Sequence, residues 1–252
     1  MKLIKADHDR RLEIAGVPNL VRRPVDIDQA QTGFANLRSL RIYRFDADSV
    51  IHGHAEEDEV LIVVMAGSIE LTMNQNNSAD SQEQSSRPFT LSVANDSHSN
   101  PCAAYLPPHA VYRLIPRGDA EVAYARATPA GGRPPQVFNS KIPSNQVRVD
   151  DAGVAVLFEE ATYPQRLRLR LVQIKATQHE ISVPPIAELE NTCEGLVHLR
   201  TAPTEQAATM LSTDARATPL ESWDTVSVTP GDHPTLRVAM GSSAFVLVVL
   251  AT

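Results

Sequence analysis

Apolar and polar residues recur along this chain in short runs separated by turn signals, and the runs are strand-sized. Leu37–Phe45, Glu59–Ala66, Ser68–Met73, Ala103–Leu106, Val111–Ile115 and Glu121–Arg126 are rich in Val, Leu, Ile and Tyr and predict strands. So do Val154–Phe158, Leu167–Lys175, Gly195–Arg200, Thr225–Val228, Thr235–Val238 and Ala244–Leu250. The clearest two-residue alternation is Leu167-Arg168-Leu169-Arg170-Leu171, which sends leucines to one face and arginines to the other. A short helix is expected only near Thr204–Leu211. The polar stretch Asn74–Arg87 reads as a long exposed hairpin loop.

The pattern occurs twice. Leu37-Arg38-Ser39-Leu40-Arg41-Ile42 is echoed by Leu167-Arg168-Leu169-Arg170-Leu171-Val172, and Tyr105-Leu106-Pro107-Pro108 by Val228-Thr229-Pro230-Gly231. Both halves end on an apolar, β-rich run. This predicts an N-terminal arm over residues 1–33 and a first β unit over 34–130. A linker over 131–149, entered through the Pro/Gly-rich Thr128–Pro135, then leads to a second unit over 150–252.

Composition sharpens the picture. With 18 Pro and 11 Gly scattered among 252 residues, few windows can hold a long helix. Apolar residues at 42% and charged residues at 21% suit a packed globular protein. Twenty-three Lys and Arg against 30 Asp and Glu give a net charge of −7, which argues against nucleic acid as a partner. The N-terminus turns charged at once, and the longest apolar run, Val60–Gly67, is too short to span a bilayer. A cytoplasmic protein without a membrane partner is expected. Cys102 and Cys193 are read as reduced, buried thiols rather than a disulfide framework.

Candidate chemistry begins at His52-Gly53-His54-Ala55-Glu56-Glu57-Asp58-Glu59. In a strand, residues i and i+2 face the same way, so His52 and His54 could present two imidazoles to one point. A carboxylate returning from the next strand would complete a two-His, one-carboxylate set, which leaves coordination positions open. A plainer reading is two surface histidines at a strand end, with Glu56, Glu57 and Asp58 a solvated acidic turn. Glu59, leading into an apolar strand, stands apart from that turn.

These residues resemble the cupin superfamily. His52, His54, Glu59 and Gly67 match its first motif, with one residue more before the glycine than the common form. That spacing, with Ala104-Tyr105-Leu106-Pro107-Pro108 and Val111-Tyr112-Arg113, is similar to the 5-deoxy-glucuronate and 5-keto-4-deoxyuronate isomerase branch. The resemblance covers roughly residues 33–130, and the second half only in outline. It implies an all-β protein: two tandem cupin barrels of the double-stranded β-helix, or jelly-roll, type in one chain. It further implies one divalent metal ion (Zn, Mn, Fe or Ni) in the first unit, held by His52, His54 and Glu59, and a homo-oligomer.

Two departures from the branch bear on the site. The branch keeps its ligands in the second cupin, whereas here the second half carries Glu188-Leu189-Glu190-Asn191-Thr192-Cys193-Glu194 with no His-x-His. The closing histidine of the second motif falls on Tyr112, and its glycine on His109. Tyrosine is a poor ligand while protonated, with a reference pKa of about 10. The fourth ligand is therefore His109, Tyr112, water or nothing, and Tyr112 is expected to face the metal as a substrate-contacting hydroxyl. His98, His179, His198 and His233 read as structural or surface histidines, and Tyr105, Tyr112 and Tyr124 first of all as core aromatics.

The leading expectation is a metal-dependent isomerase acting on a small polar substrate of the sugar-acid type. The metal would stabilise an enediolate while Tyr112 or a carboxylate, Asp58, moves the proton. The alternatives are an Fe or Ni cupin dioxygenase and a non-catalytic bicupin that binds a small molecule.

Overall fold

In the computed structural model, residues 1–47, 49–75, 88–92, 102–131, 134–138, 148–149, 154–160, 166–176, 181–183, 193–200, 208–211, 217–232 and 234–251 are described below. The first half contains β3 (Val21–Asp28), β4 (Leu37–Phe45), β5 (Ile51–His54), β6 (Glu59–Ala66), β7 (Ser68–Gln75) and β8 (Phe89–Ser92). It continues with β9 (Ala103–Leu106), β10 (Ala110–Pro116), β11 (Ala120–Ala127) and β12 (Gln136–Phe138). The second half runs through β13 (Arg148–Val149), β14 (Val154–Glu160), β15 (Leu167–Ala176), β16 (Ile181–Val183) and β17 (Glu194–Arg200). It closes with β18 (Ala208–Leu211), β19 (Ala217–Leu220), β20 (Thr225–Val228), β21 (Thr235–Val238) and β22 (Ser242–Ala251).

Every strand predicted from the apolar runs is present, within a few residues at each end. Residues 208–211, placed in the expected helix, form a strand instead, because they pair on both sides with β19 and β21. Residues 204–207 and 76–87, with His98, His179 and His233, fall outside the described residues.

The two halves repeat one topology. With β1 (Lys2–Ile4) and β2 (Arg11–Leu12), the large sheets run β12-β9-β6-β11-β4-β3-β2 and β1-β20-β17-β22-β15-β14-β13. The small sheets run β5-β10-β7-β8 and β16-β21-β18-β19. Each half is thus a jelly roll of two facing sheets, open rather than closed into a barrel. Residues 1–33 pair with both halves: β1 is the edge strand of the second half, the role β12 plays in the first, and β3 pairs with β4.

Strand alternation divides the apolar residues among three cores. The two large sheets pack against each other through Leu40, Ile42, Leu61, Val63, Ala123 and Ala125 on one side and Leu167, Leu169, Leu171, Leu247 and Val249 on the other. The interior of the first jelly roll holds Phe45, Ile51, Val60, Ile62, Leu71, Leu114, Val122 and Tyr124. That of the second, among the described residues, packs aliphatic side chains that include Val172, Leu199, Leu236, Val246, Val248 and Leu250.

Candidate functional site

The five residues Ile51 to Ala55 decide where the two histidines point. Ile51 and Ala55 are buried, whereas His52 and His54 are exposed. Between the histidines, Gly53 pairs with Tyr112 across β10, and a Cβ at Gly53 would lie 2.0 Å from Tyr112 Cζ. The Tyr112 ring therefore covers Gly53 on the inner face, and alternation sends both imidazoles to the outer one. His54 Nδ1 accepts the Glu56 amide at 2.8 Å.

Glu59 is turned away as well. It starts β6 on the same face as Leu61, Val63 and Met65, towards the second half, and is 0% exposed. Its Oε1 accepts the Leu167 amide at 2.6 Å. Burial pushes its carboxyl above the usual range, against the lowering effect of the Leu167, Ala130 and Arg166 amides. The second half returns the same contact. Glu194, at the start of β17, accepts the amides of Ala35, Asn36 and Leu37 at 2.5, 2.8 and 2.8 Å. Leu37 and Leu167 occupy equivalent positions, each opposite the terminal alanine of the central strand, Ala127 or Ala251. Glu59 and Glu194 are thus a reciprocal pair of clamps between the two halves. Glu59, expected as a ligand beside His52 and His54, lies in this clamp.

His109 and Asp58 also lie outside a common centre. His109 adopts a left-handed φ of 63° in the turn before β10, and its side chain is 59% exposed with Nε2 3.7 Å from Glu57 Oε2. Asp58 sits 3.2 Å from Arg126 Nε and 3.7 Å from Arg38 Nε. Burial raises its pKa, and the two arginines oppose that rise. Of the candidate metal and catalytic residues His52, His54, Asp58, Glu59, His109 and Tyr112, the one that points inward is Tyr112. Among the described residues, no three His, Cys, Asp or Glu side chains gather where they could hold a metal ion.

The inner face carries a different chemistry. A cavity of about 200 Å³ opens between the sheets of the first half, lined by Tyr43, Tyr112, Tyr124, Arg41 and Arg126 together with apolar residues that include Leu12 and Ile14. His52 and His54 border it on edge strand β5. The Tyr43 and Tyr124 rings meet edge to face at 5.3 Å, and Tyr112 lies 6.1 Å from Tyr124. Arg126 is held by Glu56 and Asp58, and Arg41 by Asp26 at 3.1 Å. Burial pushes the Tyr112 hydroxyl up to about 12 and Tyr124 well above its ordinary value, so both are neutral phenols at physiological pH. Tyr124 Oη is buried close enough to Tyr112 for each hydroxyl to perturb the other, yet it lacks a hydrogen bond of good geometry.

Tyr43, Arg41, Arg126 and the glycine seat under Tyr112 were not singled out from sequence. The available signal was the alternation Val122-Ala123-Tyr124-Ala125-Arg126, which places polar groups on one face of a central strand.

Two jelly rolls of identical strand order in one chain, with a polar interior in one of them, define a bicupin. Residues 20–157, more than half of the chain, match the KduI/IolB family, and the chain belongs to that family. No curated protein matches it. Among solved structures, an IolB-like protein from Salmonella typhimurium is similar at a TM-score of 0.66 and 16% identity, over 99% of this chain and 92% of that one. A cupin 2 conserved barrel domain protein from Leptotrichia buccalis aligns at 0.53 and 11% identity, over 100% and 96%. A mutant oxalate decarboxylase from Bacillus subtilis aligns at 0.61 and 10% identity, over 99% and 76%. At such identities the likeness is one of fold.

Cupin relatives commonly hold a divalent metal. Among the described residues the donors for one are not gathered in this interior. Neutral phenols and guanidinium cations line it, His52 and His54 stand at its border on the outer face of β5, and Glu59 is turned to the Leu167 amide.

Proposed function

We propose that this protein is a sugar-acid-handling cupin of the isomerase type, whose ligand occupies the first jelly roll while the second serves as scaffold. The observation that carries this reading is the contrast between interiors: tyrosines and arginines line a cavity in the first, whereas the second, among the described residues, has aliphatic side chains at the matched positions. A small oxygen-rich anion suits such a lining. Phenol hydroxyls donate to a carbonyl or hydroxyl oxygen, and guanidinium groups receive a carboxylate. Membership in the KduI/IolB family supports sugar chemistry. In this reading Tyr112 polarises the carbonyl of the open-chain sugar, and Tyr43 and Tyr124 hold neighbouring oxygens.

One observation favours a second reading, a bicupin that binds without turnover. Moving a proton between adjacent carbons needs a base, and no carboxylate lines the cavity among the described residues. Asp58 reaches it only through Arg126. The dioxygenase reading gains no support, since no donor set for its metal gathers among the described residues. The family resemblance also carries a cytoplasmic location and self-association into this proposal. Among the described residues, no helix is long and apolar enough to cross a membrane.

The test is a panel of uronates and ketoses incubated with the full chain and followed by NMR. Interconversion of an aldose–ketose pair, lost in Tyr112→Phe, supports the isomerase. Saturable binding without conversion supports the second reading.

A further inference from the structure

We infer that the interior of the first jelly roll binds an anionic, polyhydroxylated ligand without a divalent metal, with the Tyr124 hydroxyl as a donor that the ligand's oxygen completes. This rests on the functional reading above and deepens it. Three observations converge on it. Apart from His52 and His54 at its border on β5, the polar residues lining the cavity are Tyr43, Tyr112, Tyr124, Arg41 and Arg126, whose phenol and guanidinium groups are hydrogen-bond donors, so the pocket selects a ligand rich in acceptors. A divalent cation placed among these groups would meet two guanidinium charges and no anionic ligand.

Second, the residues of the metal motif are committed elsewhere. His52 and His54 stand on the face opposite Tyr112, and Glu59 is spent on the Leu167 amide 2.6 Å away. Recruiting either would require turning a strand over or breaking a clamp between the two halves. Third, Tyr124 Oη is buried without a well-formed hydrogen bond, on the inner face. Leaving a hydroxyl in that state costs stability unless a partner arrives. Phenylalanine would fill the same place without that cost. The hydroxyl therefore points to a ligand oxygen.

The experiment uses the full chain, dialysed against EDTA, with D-glucuronate and D-galacturonate as probes and D-glucose and D-galactose as neutral controls. Binding is measured by calorimetry before and after addition of Mn²⁺, Ni²⁺ or Zn²⁺. The expected result is uronate binding in the metal-free protein, a change of less than about twofold on adding metal, and weak or no binding of the neutral sugars. Tyr124→Phe should weaken uronate binding by about tenfold, the worth of one hydrogen bond, and the His52→Ala/His54→Ala double variant should leave it unchanged.

Uronate binding that appears only with metal, or vanishes in the histidine double variant, overturns the inference while leaving the sugar-acid reading standing. Failure of either uronate to bind in any state overturns both. If Tyr124→Phe does not fold, metal content decides independently. Less than a tenth of an equivalent after dialysis against each ion supports the inference, and one retained equivalent overturns it.

Discussion

The two jelly rolls share a strand order and a register, yet their interiors have diverged at matched positions. In the first, Tyr43 pairs with Val122 and Tyr124 with Arg41. In the second, Val172 pairs with Val246 and Val248 with Arg170. On the small sheets Tyr112 pairs with Gly53 and Met73, whereas Leu236 pairs with Val183 and Met210. Tyr43, Tyr112, Tyr124 and Arg126 thus stand where the second half has Val172, Leu236, Val248 and Leu250. One half has exchanged aliphatic packing for a polar cavity, and its twin shows what the scaffold alone requires. Such an exchange forfeits well-packed apolar area, so it is expected where a ligand is bound.

The interface between the halves gives the opposite lesson, since there the equivalents are conserved in role. Glu59 and Glu194 each accept amides from the other half. The largest expected effect is accordingly on this pair. Glu59→Ala and Glu194→Ala should each destabilise the protein by about 3 kcal/mol in urea titrations at pH 7, because buried amides lose a charged acceptor. Destabilisation by one variant alone would break the equivalence.

A second prediction exploits a mismatch at that interface. His198 stands where the first half has Val63, opposite Leu247 and Ala123 respectively. It is fully buried, with Nδ1 3.0 Å from Thr225 Oγ1, and burial followed by the Arg200 charge lowers its pKa to about 3. Below the ordinary value of 6.5 the unfolded chain takes up a proton that the folded one refuses. Stability is therefore lost as pH falls from 6.5 towards 3. The loss should reach about 2 kcal/mol by pH 5, at about 1.4 kcal/mol per unit. His198→Val, which installs the first half's residue, should remove this contribution, and an unchanged pH slope would refute the assignment.

A third exchange sharpens the comparison of interiors. Gly53→Val should cost about 2 kcal/mol, since its side chain would enter the Tyr112 ring. The double variant with Tyr112→Leu recreates the valine–leucine pair of the second half and should recover about 1–2 kcal/mol of that loss. Additive costs would mean that the ring does not sit over the glycine.

The smallest effect is expected at Tyr124. Its change to Phe removes a poorly paired buried hydroxyl and should leave stability unchanged or raise it by up to about 1 kcal/mol. A large destabilisation would show that the hydroxyl is a structural bond.

These contrasts also explain what the sequence made legible. The strand positions followed from apolar runs and turn residues, and the internal repeat from the leucine–arginine echo, because both are local patterns. The imidazole pair falls on the outer face of β5. A His-x-His pair satisfies a two-residue period whichever face it occupies, and the deciding signal, Ile51 and Ala55 in the same alternation, pointed the histidines outward. At Glu59 no such signal exists. Val60 to Met65 is buried on both faces, so alternation cannot be read from hydrophobicity there. Its partner Leu167 lies 108 residues away and was not foreseeable from spacing. Arg126 and Tyr43 were hidden for a related reason: a tyrosine or arginine inside a β-rich run looks like packing until its neighbours across the sheet are known.

The most direct test of the account is a crystal structure of the full chain grown with D-glucuronate and Mn²⁺, with anomalous scattering recorded for manganese. The account predicts ligand density in the first jelly roll, with an oxygen within hydrogen-bonding distance of Tyr124 Oη and no anomalous peak beside it. A manganese peak coordinated by His52 and His54, or a ligand seated in the second jelly roll, would contradict it.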